Sequence, residues 1–174
     1  MTLTIKMPAT LPDGMTSATL AEAAARGISN ALKRHFRARN QSSKHREGMP
    51  RSNFWAHVAD SVQTEPHGNK ALVSIDHEGV ALHFEGGRIS PKRGKALTIP
   101  LSPAVWDRNP READPTREKL ALVWPKGKSA GILKNKETGD AWYLLVSKAD
   151  IPSDTSVLPQ DATLERAGSD AINF

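Results

Sequence analysis

From Thr19 to about Arg39 the apolar residues Leu20, Ala24, Ile28, Ala31, Leu32 and Phe36 recur at intervals of three and four. That spacing puts them on one stripe of an α-helix. Thr19 with Glu22 would supply a capping box at its start. No other stretch carries a helical stripe of this length, so one amphipathic helix must bury its face against something else. Gly27 sits in its middle, where glycine costs about 1 kcal/mol relative to alanine. Packing of the stripe has to offset that cost, and a sheet is the most natural partner.

The surroundings supply strands. Leu3, Ile5 and Met7 alternate with Thr2, Thr4 and Lys6, a period of two that predicts a short strand ended by Pro8 and the Pro12-Asp13-Gly14 turn. Lys70–Asp76 places Ala71, Val73 and Ile75 on one face, Lys95–Pro100 carries Leu97 and Ile99, Lys119–Trp124 carries Leu120, Leu122 and Trp124, and Ala141–Ser147 is apolar almost throughout. These four segments predict an antiparallel sheet. Ala130–Leu133 and Ala141–Ser147 would pair as a hairpin through Asn135–Asp140, with Gly139 available for a positive φ. A second, short helix begins after Asn53, with Phe54, Val58 and Val62 on one face and Trp55 beside them, before Pro66-His67-Gly68-Asn69 turns the chain. Val80–Phe84 is expected to form a helical turn ahead of Gly86-Gly87. The expected fold is therefore α+β: a small antiparallel sheet packed by one long helix and a short second one, with extended loops.

With 174 residues the chain suits a single domain, expected over residues 1–150, followed by a C-terminal arm over 151–174. Leu164, Ala167 and Ala171 hint at a short helix beginning near Asp161. The arm has too little apolar surface to fold alone, so it docks on its own domain, docks on a neighbour, or stays loose. Ser102–Arg117, with Pro103, Pro110 and Pro115 and a lone Trp106, is a long polar excursion of the kind that is usually functional or disordered. No internal repeat is visible. No segment reaches the ~18 apolar residues a bilayer span needs, and Lys6, Pro8, Pro12 and Asp13 interrupt any signal-type apolar run, so a soluble chain that begins at its own start is expected.

Catalytic and metal motifs are mostly missing. The chain has no cysteine, which removes disulfides, a thiol nucleophile and Cys-ligated metal sites. Gly127-Lys128-Ser129-Ala130-Gly131 fits G-x-S-x-G, but the helix that must follow a nucleophilic serine is replaced by strand sequence, so a hairpin turn is expected there. The position five before Gly127 is Leu122, which excludes a P-loop. The six histidines at 35, 45, 57, 67, 77 and 83 match no ligand spacing. The carboxylate pairs Asp76/Glu78 and Glu112/Asp114 lie beside turns in polar sequence, where solvated carboxylates are the ordinary case. No catalytic residue, metal or cofactor is expected.

Charge is the feature that survives. Lys33, Arg34, Arg37, Arg39, Lys44, Arg46 and Arg51 face only Glu47, a net of +6 within a chain whose total is +5. Arg88, Lys92, Arg93 and Lys95 add a second acid-free group in a Gly/Pro-punctuated loop. Two such loops could make one phosphate-facing surface that holds a nucleic-acid backbone without reading its sequence. A sequence-specific reader is disfavoured, because the only long helix needs its stripe for packing and no helix-turn-helix or zinc-finger spacing occurs.

The order of segments resembles a known family. A helix ending in Ala31-Leu32-Lys33-Arg34-His35-Phe36 is followed by a basic loop and by Asn53-Phe54-Trp55 with Val58-Ala59-Asp60-Ser61-Val62. Then come Val80-Ala81-Leu82-His83-Phe84-Glu85-Gly86-Gly87-Arg88-Ile89, Pro91-Lys92, Lys95-Ala96-Leu97-Thr98-Ile99-Pro100, and near the end Ile151-Pro152 with Val157-Leu158-Pro159. Over about residues 20–160 this resembles the small morphogenesis proteins of tailed phages, Mu-type virion morphogenesis and lambda-type tail-completion proteins. The resemblance implies a non-enzymatic virion protein made in the host cytoplasm and placed at the neck or tail end. It also implies a homo-oligomeric ring, often sixfold, with other neck and tail proteins as partners and packaged double-stranded DNA close by. A nucleic-acid-binding accessory protein that uses the two basic loops is the alternative.

Overall fold

The computed structural model describes residues 16–43, 48–92 and 94–173. In chain order the elements are α1 (Ser17–Ser42), α2 (Phe54–Asp60), β1 (Val62–His67), β2 (Lys70–Ile75), α3 (Glu78–Glu85) and β3 (Gly87–Ile89). There follow β4 (Leu97–Pro100), α4 (Pro110–Ala113), β5 (Leu120–Val123), β6 (Ala130–Asn135), β7 (Ala141–Val146), β8 (Ala149–Ile151) and α5 (Asp161–Ile172). The fold is α+β with antiparallel pairing throughout. The strand expected over Leu3–Met7 lies outside the described residues.

The chain divides into two compact units rather than one domain with an arm: unit 1 is 1–43, 53–85 and 153–174, and unit 2 is 44–52 and 86–152. The segment expected as a C-terminal arm belongs to unit 1. Its helix α5 starts at Asp161 and lies along α1, burying Leu164, Gly168 and Ile172.

In unit 1, α1 is capped three residues before the expected cap. Thr16 is the N-cap, its Oγ1 accepting from the Thr19 N–H at 3.2 Å, so Thr19 stands inside the first turn. The stripe read from the sequence is buried as expected, and Phe36 is wholly enclosed. From Ile28 to Phe36 the stripe packs with Trp55, Val58 and Ala59 of α2, Val62 of β1, Val80 of α3, Val157 and Leu164, with Val73 and Ile75 of β2 against the cluster, while Leu20 and Ala24 meet Ile172. The Phe36 and Trp55 rings stack with centroids 6.0 Å apart. Asn53 does precede α2, but with φ +51° and no side-chain cap bond. The helix ends at Asp60, which leaves Val62 to open β1 rather than close the helix.

β1 was not apparent in the sequence because only Val62 of its six residues is buried. It pairs with β2 around Gly68-Asn69, Gly68 taking φ +61° at the first central position, where a type II′ turn calls for glycine. Pro66 is tolerated because β1 pairs with β2 alone and so lies at an edge. This pairing removes β2 from the expected single sheet: the apolar face Ala71, Val73 and Ile75 is served by α1 and a private hairpin.

The partner of α1 at Gly27 is a helix, not a sheet. A Cβ built on Gly27 would sit 2.2 Å from the Ala167 carbonyl oxygen and 2.7 Å from the Ala171 Cβ. The two helices touch backbone to backbone there, and the lost helix propensity is what allows the contact.

Unit 2 is a four-stranded sheet of order β4-β7-β6-β5, with β3 and β8 pairing separately. The β6–β7 hairpin forms as expected, Gly139 at φ +76°. The Gly127–Gly131 segment turns β5 into β6, and exposed Ser129 precedes a strand, as the hairpin reading requires. The excursion 102–117 is ordered. A 3₁₀ turn at Pro103–Val105 buries Val105, and the Arg108 carbonyl accepts the hydroxyl of fully buried Tyr143 at 2.9 Å.

Gly27→Ala is expected to destabilise unit 1 although alanine is the better helix former. Displacing the α5 backbone should cost about 1–3 kcal/mol against the roughly 1 kcal/mol gained in propensity. Gly27→Val should cost more, and denaturant unfolding of the two variants, alanine above valine in midpoint and both below wild type, checks it.

Candidate functional site

The eleven cations singled out from the sequence fall in both units, and the groups are described separately. In unit 1, Lys33, Arg34, Arg37 and Arg39 occupy the second half of α1. In unit 2, Arg51 is exposed in an irregular stretch, Arg88 is in β3, and Lys92 and Lys95 are exposed in the turn before β4. Lys44, Arg46 and Arg93 lie outside the described residues.

Helical geometry separates the unit 1 group. Residues 35 and 39 are one turn apart and face the segment Asp154–Val157, whereas 34 and 37 point elsewhere. Arg39 is the most committed of the candidates. Its Nη2 pairs with Asp154 Oδ2, its Nη1 donates to the Ser156 carbonyl at 3.1 Å and to Ser156 Oγ at 3.0 Å, and its guanidinium lies 4.6 Å from the Trp55 ring centroid. Ser156 Oγ in turn donates to Asp154 Oδ1 at 2.6 Å. His35 completes the grip: its Nε2 stands 3.1 Å from the Val157 carbonyl and 3.2 Å from that of Ser156, and since carbonyls only accept, the proton is on Nε2. Bonds from Ser156 and then from Arg39 hold the Asp154 carboxyl below its ordinary range. Arg39 is therefore a clamp on residues 154–157, not a free cation for a polyanion.

Two more candidates are engaged at the surface. Arg37 is 3.5 Å from Asp60, both largely exposed, and Arg88 Nε donates to Asp150 at 2.7 Å. Exposed pairs of this kind contribute little to stability and exchange readily for another anion. Arg34 lines a groove of about 370 Å³ between α1 and α5, together with Asn30, Thr163, Arg166 and Asp170. The groove is open, and Arg166 already stands 3.9 Å from Asp170 across one turn of α5.

The carboxylates expected to be solvated are not all so. Glu112 belongs to a capping box with Asn109 at the start of α4. Asp114 is buried and accepts the N–H groups of Glu118, Lys119 and Leu120 at 3.0, 3.1 and 2.8 Å. Burial alone would raise its pKa, but those three bonds and the charge of Lys136 outweigh it and the net direction is down. Asp114 is a structural knot that brings residues 114–120 into β5, a role that a separation of four to six residues in polar sequence does not advertise. No group of three or more His, Asp or Glu side chains among the described residues is arranged to hold a metal ion. No helix among them is long and apolar enough to cross a membrane.

No family model, curated protein or solved structure matches the chain.

Two outcomes follow from the clamp. Arg39→Ala should lower unfolding stability by about 2 kcal/mol through the lost ring and carbonyl contacts, and Arg39→Lys should recover only part of it because an ammonium cannot reproduce the fork. Because Asp154 has a lowered folded pKa, its contribution is present above the unfolded carboxylate value, roughly 3.9, and lost as pH falls through the folded one. The stability gap between wild type and Asp154→Asn should therefore be open near neutrality and close in acid; a gap constant down to pH ~2 would contradict the assignment.

Proposed function

We propose that the chain is a non-enzymatic structural protein of a tailed-phage virion, completing the tail or joining it to the filled head as a subunit of a homo-oligomeric ring, commonly sixfold. The observation that carries this reading is the order of sequence segments from the α1 terminus through Asn53-Phe54-Trp55 and Glu85-Gly86-Gly87 to Leu97–Pro100 and Val157-Leu158-Pro159. Supporting it, many of the residues in that order build one object: Ala31, Leu32, Phe36, Trp55, Val58, Ala59, Val62, Val80 and Val157 pack together in unit 1. A pattern made of core residues reports a shared fold more than a shared surface. A ring subunit also needs heterologous contacts that close by rotation, and exposed cations such as Arg34 on α1 suit a surface past which DNA slides, since diffuse charge contacts are screened and non-specific.

The test is to inactivate the gene in its phage or prophage and image the induced lysate by negative-stain electron microscopy. Separate filled heads and tails, or tails of abnormal length, are expected. Normal infectious particles would remove the reading.

A nucleic-acid-binding accessory role is the second reading, and one observation favours it: Arg34, Lys92 and Lys95 are exposed and make no ion pair with a described residue. Replacing these three by alanine should lower the salt dependence of duplex binding, log K against log salt, by about 3 in slope. Arg39 has to be left in place in that experiment, since its loss would report on folding. Duplex binding with an unchanged slope would dismiss the DNA contact.

A further inference from the structure

β5 forms one edge of the unit 2 sheet and pairs, among the described residues, with β6 alone. Among the described residues, three of the five exposed large apolar side chains are consecutive at this edge: Leu122 at 60%, Val123 at 38% and Trp124 at 55% exposure. Trp124 is held in place despite its exposure. Its Nε1 donates to the Lys128 carbonyl at 3.0 Å, and its ring covers Gly131, where a Cβ would meet it at 2.6 Å. A rigid exposed tryptophan beside a leucine is the composition of an interface anchor rather than of a solvated edge.

The register shows which way each residue faces. The Lys136 N–H donates to the Lys119 carbonyl across the ladder, and Val123 stands opposite Ile132. Alternation along the strand then turns the N–H and C=O groups of Lys119, Ala121 and Val123 toward β6 and those of Leu120, Leu122 and Trp124 outward. The outward Leu120 N–H is occupied by Asp114 Oδ2, which leaves Leu122 and Trp124 as the segment open to a new strand. Pro125 has the inward parity, so its missing N–H removes no outward donor.

We propose that this edge pairs with the same edge of a second copy of the chain, antiparallel and isologous, about a dyad through Val123. Among the isologous registers, that one pairs both open residues, Leu122 and Trp124, while leaving the Leu120 N–H held by Asp114 out of the new ladder. Leu122 falls opposite Trp124 of the other copy and Trp124 opposite its Leu122, both as hydrogen-bonded pairs that use the outward groups, with the two large side chains on one face. Val123 meets its own counterpart on the other face. Across the sheet Val123, Ile132, Leu144 and Ile99 already form one apolar row, and the dyad doubles it. A second copy is favoured over a different protein because every exposed apolar residue on β5 then finds an apolar mate from the strand itself. This surface is independent of the ring reading, whose contacts run head to tail, and the dimer would stand if that reading failed.

The patch is small, so the expected Kd is on the order of 10 µM. Val123 and its mate form a non-hydrogen-bonded pair, for which the Cα separation is about 4.5 Å and within disulfide range. The chain has no native cysteine, so Val123→Cys is a clean probe. Under mild oxidation well above the Kd it should give a covalent dimer much faster than Glu137→Cys in the exposed β6–β7 turn. In sedimentation velocity the wild type should show self-association that Leu122→Glu abolishes, its circular dichroism unchanged because Leu122 is exposed. A wild type that stays monomeric at all concentrations, or cross-linking of Val123→Cys no faster than of Glu137→Cys, overturns the proposal; so does a larger assembly in which the Val123→Cys disulfide does not form.

Discussion

The contact on which unit 1 depends is the backbone approach of α1 and α5 at Gly27. Helix separation is set by the side chains at the crossing, and here the absence of one brings the Ala167 carbonyl to within 2.2 Å of where a Cβ would stand. Leu20 and Ala24 can then meet Ile172, while Ile28 and Ala31 share a core with Leu164. Helices α1 and α5 are thereby one packing unit, and the 154–157 stretch is tied beside them by Arg39 and His35. Hydrophobic burial sets the strength of this arrangement and small residues set its geometry.

The same economy explains where the charges went. A basic run looks like one surface in the sequence, yet the helix distributes it by angle. Arg39 is turned inward onto Trp55 and Asp154, Arg37 is matched by Asp60, and Arg34 faces an open groove. Position on the helix, and not the number of cations, decides which of them is available to a partner.

The elements with a regular hydrophobic period were legible in the sequence: the α1 stripe, β2 with Ala71, Val73 and Ile75, the β6–β7 hairpin with Gly139, and α5 starting at Asp161. What escaped had either no period or no local cause. β1 exposes five of its six residues and contains Pro66, so nothing in Val62–His67 alternates. Gly27 reads as a defect unless its partner 140 residues away is known. Asp114 looks solvated because the donors that bury it are backbone groups, which every sequence possesses. The cations could be picked out of the sequence, but their partners could not: Asp154 lies 115 positions from Arg39, and no spacing rule reaches that far.

The discontinuity of unit 1 has a consequence for how the chain comes to be folded. Its first helix leaves the ribosome first and meets its mate last, after the whole of 86–152 has been made. Until α5 emerges, the Ile28–Phe36 part of the stripe has α2, the β1–β2 hairpin and α3 to cover it, while the Gly27 side stays open. In unit 2 the β5–β6 and β6–β7 hairpins are local and can form early, with β3 and β4 joining strands further along the chain, whereas closing unit 1 must wait for a loop of more than a hundred residues, a slow and aggregation-exposed step. Helix α5 is thus a checkpoint on folding: a chain cut short before Asp161 is left with an uncovered face on α1.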